Sequence, residues 1–395
     1  MDSLEKINQL IDKNRIIEIT KELINLRSDG ESDMEYGVSI YLKNFLEAIG
    51  AEVEMQYVES KRYNVIAKFS GKSMGRTLMY CGHIDVVPPG DESKWRTAPF
   101  KAHIENDYLF GRGSVDMKGS IASFLHTMEV LQKLKIDLNG DVLLVLDVDE
   151  EISNKGLHKF FNSGIKADAC IVGEPTNMEI ALGHRGVLGF KVRFKGKKAH
   201  ASQPYLGINP IMHAMYFSQK VENFIENILQ YRKSSMGNST MTITYINAGK
   251  ELNSVPNECE ILIDRRLIMG ETKESCIDEL DNILNEMKSE IKDLDYEFQV
   301  TTYCEPGEIS PENNLVKDMQ FAIDSNSPDS VPLTYLKATC EASLISKFMN
   351  IPVIICGPGN MEQAHIVNEF IKTEQLELGS RIYASFLLKF FGQAL

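Results

Sequence analysis

Two histidines and six carboxylates stand where apolar runs of this sequence give way to turn residues. Divalent metal ions take mixed imidazole and carboxylate sets of this kind. In His83-Ile84-Asp85 the alternation of an extended segment puts His83 and Asp85 on one side. A metal-bound histidine commonly gives its second ring N–H to such a carboxylate, although the pair alone reads more readily as a satisfied structural histidine. Asp116 lies in GRGSVDMKGS, Gly111 to Ser120, just before a helix expected to start near Met117. It can cap that helix or bridge two cations through its two oxygens. Asp149-Glu150-Glu151 repel one another and would ordinarily be a solvated loop, but they end the apolar run DVLLVLDV, and a nearby cation would offset the repulsion. Glu174 reads alone as a turn glutamate and His365 as a loop histidine. Taken together, His83, Asp116, Glu151, Glu174 and His365 could hold a pair of divalent ions, zinc first, with cobalt or manganese as alternatives. Glu150 is then placed to take the proton of a water activated for hydrolysis.

The elements that must position these residues follow from the apolar patterning. LMYCGH (78–83), DVLLVLDVDEE (141–151), ACIVGEP (169–175) and IPVIICGPG (351–359) are runs of about strand length, each followed by turn residues or acids. Amphipathic stretches such as 117–134 lie between them, giving an α/β class with a central mixed sheet covered by helices. Sites in such sheets gather beyond the carboxyl ends of the strands. The N-terminus reads as one amphipathic helix on Leu4, Ile7, Ile11, Ile16, Ile19 and Leu23, too interrupted by charge for a signal peptide or a membrane span. From about Gly183 to Cys304 the pattern becomes β-α-β-β-α-β, with helices expected over 210–228 and 274–291 and a flexible loop at 233–240. We expect a discontinuous catalytic domain, residues 1–183 and 305–395, interrupted by an α+β domain over 184–304.

The net charge of −14 disfavours nucleic acid and anionic membranes as partners. Seven scattered cysteines without a C-x-x-C pair suit reduced thiols in the cytoplasm. No G-x-G-x-x-G follows the early strands, so a dinucleotide cofactor has no support. Lys118 is the one tempting Schiff-base lysine, with nothing around it in sequence to activate it. His103, His126, His158 and His213 receive no role, and Trp95 reads as packing.

GHIDVVP (82–88), GRGSVDMKGS, DEE, GEPT (173–176), GHRG (183–186), AHASQPYLGINP (199–210), NSVPNECEILIDRR (253–266) and GPGNMEQAHIVNE, in this order along nearly the whole chain, resemble the M20 metallopeptidase family. That family includes acetylornithine deacetylases, succinyl-diaminopimelate desuccinylases, aminoacylases and carboxypeptidase G. The resemblance implies a zinc-peptidase-like catalytic domain with a ferredoxin-like inserted domain acting as lid and dimerisation surface. It implies two zinc ions per chain, His83 and Glu174 on one, Glu151 and His365 on the other, and Asp116 between them. Asp85 then orients His83, Glu150 is the general base, and His200 polarises the scissile carbonyl. Asn253 and Arg265 hold polar atoms of the substrate.

For the substrate, His184 stands where desuccinylases carry a second arginine, and Thr339-Cys340-Glu341-Ala342 resembles the deacetylase form. Glu341 is a candidate to meet a cationic side chain such as that of ornithine, against a plain reading as a helix N-terminal glutamate. The sequence therefore points to removal of an N-acyl group, acetyl first, from a small amino acid. Desuccinylation, dipeptide cleavage or aminoacylase activity stand as alternatives, and a non-catalytic binding protein on the same fold as the remote one.

Overall fold

The four apolar runs form strands whose side chains are buried almost without interruption, as strands covered on both faces must be. The computed structural model describes residues 3–30, 34–73, 75–327 and 331–393. Seven of the nine strands of the catalytic sheet frame the site: β1 (Glu52–Glu59), β2 (Arg62–Phe69), β3 (Arg76–His83), β4 (Gly140–Asp147), β5 (Ala169–Val172), β6 (Ile180–His184) and β7 (Val353–Ile355). Their order across the sheet is β1-β2-β4-β3-β5-β7-β6. The four central strands β4, β3, β5 and β7 run parallel, while β1, β2 and β6 pair antiparallel. The carboxyl ends of the parallel strands therefore open on one edge, where the acids and histidines follow.

Helices Lys118–Lys133 and Thr373–Phe390 pack together, and hydroxyls join them. Ser123 Oγ donates to Leu376 O at 2.9 Å and Thr127 Oγ1 to Ser380 O at 3.0 Å. The N-terminal pattern is two helices, not one: Ser3–Leu10 and Lys13–Asn25. Asp12 breaks the run because its carboxylate accepts from Asn14 N, capping the second helix. Among the described residues no helix is long and apolar enough to cross a membrane.

The chain divides into two compact units, one of Met1–Gly183, Ile309–Leu336 and Cys340–Leu395, the other of His184–Glu308 and Lys337–Thr339. The second unit thus takes in 305–308 and 337–339, beyond the expected boundary. The latter three residues join it because Lys337 O accepts from Arg185 at 3.4 Å and Thr339 Oγ1 donates to Arg185 O at 3.3 Å. Its sheet is antiparallel in the order Thr240–Ala248, Glu258–Leu267, Gly186–Lys195, Asp295–Cys304. Burial alternates strictly along the Gly186–Lys195 strand, as in a sheet with one face on a core. Helices Pro210–Asn227 and Lys273–Glu290 contribute to that core through Phe217, Leu280 and Leu284. The segment expected as a loop at 233–240 instead contains a short hairpin, Lys233–Ser234 against Gly237–Asn238, which Gly237 permits with φ of +99°.

Candidate metal centre

His83 is the last residue of β3 and pairs in register with Asp147 at the end of β4. Glu150 and Glu151 follow β4, Glu174 lies two residues past β5, and His365 comes from the loop after β7. Asp116 comes from the glycine turn. Gly113 has φ of +85°, and a Cβ there would stand 2.9 Å from Val86 Cγ1, so only glycine fits. The helix after this turn begins at Lys118 with Met117 at its cap and no side-chain cap bond. Asp116 is thus not a helix cap.

Its two oxygens face opposite ways. Oδ1 lies 3.0 Å from His83 Nε2, and Oδ2 lies 3.2 Å from His365 Nε2. His83 Nε2 is also 3.7 Å from Glu174 Oε1, and His365 Nε2 is 3.1 Å from Glu151 Oε2. Two trios result, His83–Asp116–Glu174 and Asp116–Glu151–His365, the ligand atoms of each within 4.8 Å of one another. The first is buried, whereas the His365 side chain is 52% exposed, so one end of the centre is open. The structure brings all five residues together.

Electrostatics supply a test of fit. Burial pushes the Glu174 and Glu150 carboxyls well above their usual range, and neighbouring acids push them further. Burial alone would depress His83, but the adjoining Asp116 carboxylate outweighs it and holds the imidazolium well above its ordinary pKa. Asp116 and Glu151 raise His365 to about 10. Glu174 Oε2 is buried without a hydrogen-bond partner. Counting protein groups alone, the centre offsets its crowded acids by holding protons, on both imidazoles and on the raised carboxyls. Two divalent cations would supply that charge and displace those protons, so the donor set suits them.

Asp85 sits beside His83 in an unexpected manner. His83 Nδ1 lies 2.9 Å from the Asp85 backbone carbonyl and 3.8 Å from its carboxylate. The carboxylate instead accepts from the backbone N–H groups of Glu150 and Glu151, each at 3.2 Å. Asp85 therefore fixes the histidine through its main chain and the acidic turn through its side chain.

Three further residues position the centre: Glu369 and Arg62, which were not singled out in sequence, and Lys118, which was read there only as a Schiff-base candidate. Glu369, fully buried, accepts from Val115 N at 3.0 Å and Asp116 N at 3.3 Å and pairs with Arg112 at 2.5 Å. Its signal was present, since it ends the His365 motif. Arg62 pairs with Glu35 at 2.6 Å and Asp149 at 2.8 Å. It thereby anchors Asp149, whose φ is +69°, immediately before Glu150. Lys118 is a buried strut, its Nζ donating to Leu23 O and Leu26 O at 2.8 and 3.0 Å.

Two expectations are corrected. Glu341 is fully buried, and neither of its carboxylate oxygens has a hydrogen-bond partner. Its neighbours are Glu150 and Glu174 on one side and Cys81 and Asp147 on another. A substrate side chain arriving from solvent does not meet it there. Arg265 is also buried, and its guanidinium is already held by Glu271 at 2.6 Å and Glu279 at 3.2 Å. It lies on the inner face of its strand. Arg266, on the opposite face, keeps a 32% exposed side chain.

In the second unit His200 and Asn253 are exposed neighbours, since His200 pairs with Ser254 across a short ladder and Ala201 N donates to Asn253 O. Ser202 N donates to His200 Nδ1 at 3.1 Å, so a neutral ring carries its proton on Nε2. His184 is buried, with Nδ1 2.9 Å from Arg185 O.

Fold and site together define a hydrolase of amide bonds with a metal-ligating centre at the carboxyl edge of its sheet. Residues 79–389 match the model of peptidase family M20/M25/M40, and the chain belongs to that family. It is 29% identical over 342 residues to an acetylornithine deacetylase of Aliivibrio salmonicida, covering 84% of this chain and 85% of that protein. It is 28% identical over 387 residues to a succinyl-diaminopimelate desuccinylase of Ehrlichia chaffeensis, covering 94% and 97%. A tripeptidase structure from Staphylococcus aureus superposes with a TM-score of 0.82 at 19% identity, covering 97% of this chain and 100% of that one.

Proposed function

We propose that this metal-dependent hydrolase removes an N-acyl group, acetyl first, from a small amino acid such as N-acetylornithine. The observation carrying the reading is Asp116, with one oxygen facing His83 and the other facing His365. His83, Asp116, Glu174, Glu151 and His365 would hold two divalent ions, zinc first, which supply Lewis acidity to water and to the scissile carbonyl. Glu150 takes the proton of the attacking water and returns it to the leaving amine nitrogen. His200 offers an Nε2–H as donor to the developing oxyanion, and Asn253 holds a polar atom of the substrate. Arg266 replaces Arg265 as the group for a substrate carboxylate, which guanidinium can meet with two hydrogen bonds.

The names of the two relatives leave deacetylation and desuccinylation both open. A neutral histidine at 184, where a desuccinylase would carry an arginine, favours the first. We further propose a cytoplasmic homodimer joined through the inserted segment, where Tyr205, Met212, Met215, Tyr245 and Ile246 are exposed. Light scattering on the purified protein checks the dimer. Metal-loaded enzyme assayed on N-acetylornithine, N-succinyl-diaminopimelate and a dipeptide panel tests the substrate. Glu150→Gln should lower kcat by about 10²- to 10⁴-fold with metal content unchanged; undiminished turnover in that variant would remove Glu150 as the base.

A further inference from the structure

A second buried cluster adjoins the centre and has no part in the chemistry above. Cys81 precedes His83 by two residues on β3, and Asp147 lies directly opposite His83 on β4. Alternation along the strands therefore turns Cys81, His83 and Asp147 to one face of the sheet. Glu341 arrives beside them at the start of helix Ala342–Met349. Cys81 Sγ and one carboxylate oxygen each of Asp147 and Glu341 lie within 4.8 Å of one another, with Cys81 Sγ and Asp147 Oδ1 4.0 Å apart. All three residues are 0% exposed. Asp147 Oδ2 and both Glu341 oxygens have no hydrogen-bond partner. Carboxylates sealed from water without donors are costly, and a thiol beside two of them completes a set of cation ligands.

We propose that Cys81, Asp147 and Glu341 hold a third divalent cation, one of the thiophilic class that includes Zn²⁺ and Co²⁺. In a tetrahedral site sulfur at about 2.3 Å and oxygen at about 2.0 Å from one ion stand about 3.5 Å apart, so the observed 4.0 Å separation closes by about half an ångström on binding. On binding, the Cys81 S–H bond breaks and its proton leaves to solvent. Bonds then form from Sγ and from one oxygen of each acid, and no redox change occurs. A second oxygen of Asp147 or Glu341 is free for a fourth position. Glu341 also lies within 4.8 Å of ligand atoms of Glu150 and Glu174, which gives a route of entry from the main centre. A cation here would neutralise a carboxylate that otherwise repels the base.

Titration of the full-length protein with Co²⁺ tests this apart from any activity. The five residues of the main centre offer only nitrogen and oxygen, so a sulfur-to-cobalt charge-transfer band in the near ultraviolet reports a thiol ligand outside that set, and its loss in Cys81→Ser assigns it to Cys81. We expect three equivalents per chain by elemental analysis, with the band growing alongside one of them. In Cys81→Ser the band should vanish and two equivalents remain; Asp147→Asn should likewise lose one equivalent. Wild-type protein that saturates at two equivalents without the band overturns the proposal, whatever the variants do. So does a band that survives in Cys81→Ser.

Discussion

Replacing Glu369 should uncouple the glycine turn from the metal centre, and the cost can be worked out from its contacts. The carboxylate is fully buried, 2.5 Å from Arg112, and accepts from Val115 N and Asp116 N. Alanine would leave a buried guanidinium without its counterion, a loss of about 3–5 kcal/mol. It would also strand two backbone donors at roughly 1–3 kcal/mol each. The total approaches the whole stability of a typical protein, about 5–15 kcal/mol, so Glu369→Ala should fail to accumulate in folded form. Glu369→Gln keeps an acceptor oxygen and loses only the charge, which should cost about 1.5–3 kcal/mol. Because the bond to Asp116 N weakens with it, Zn²⁺ affinity should fall about 10- to 100-fold, the usual effect of losing a group that orients a ligand. Urea unfolding gives the first quantity and competition with a chromophoric chelator the second. A Glu369→Gln protein that unfolds with wild-type stability and binds Zn²⁺ with wild-type affinity would refute the positioning role.

Other outcomes follow from the same contacts. Hydrogen bonds from His126 and Arg15 outweigh the effect of burial and hold Glu129 down to about 2 from a usual 4.5. Its stabilisation should be complete above about pH 4.5 and fade as pH falls toward 2. The full shift corresponds to about 3.4 kcal/mol. We discount that to about 1–2 kcal/mol at a partly exposed pair. Glu129→Gln should be weaker than wild type by that amount near neutrality and indistinguishable at the acid end, and a gap independent of pH would contradict the assignment. Arg62→Met should destabilise by about 3–5 kcal/mol and lower kcat more than it raises KM, because Asp149 loses the anchor of the turn carrying Glu150; equal proportional changes in both would count against it. Chelation should abolish hydrolysis, and Zn²⁺ or Co²⁺ should restore it while Ca²⁺, which takes oxygen-only cages, should not.

The sheet and the metal-ligating set were legible because both write themselves locally. A run such as ACIV followed by Gly-Glu-Pro announces a buried strand with an acid at its end. What the sequence hid depends on which way a side chain turns. Arg265 and Arg266 are adjacent and chemically alike, and only the sheet face separates a guanidinium already held by Glu271 and Glu279 from one with exposed surface. Glu341 matched a family stretch but its burial could not be read from neighbours in the chain. Asp85 was expected to meet His83 through its carboxylate, whereas the ring faces a backbone carbonyl that every residue possesses. Arg62 is invisible for a simpler reason, since its partner Asp149 lies 87 residues away; Glu369 closes the His365 motif, but its partner Arg112 lies 257 residues away and could not be named from that motif.

The place of β7 carries a consequence for biosynthesis. This strand, near the end of the chain, inserts between β5 and β6, which were made some 170 residues earlier. Until it emerges from the ribosome, those two strands present open hydrogen-bonding edges, a template for misassembly. His365 follows ten residues after the strand ends, so the five-residue candidate set is incomplete until that stretch has been made. The slot between β5 and β6 and the gap left by the missing histidine are thus filled by one late stretch of chain.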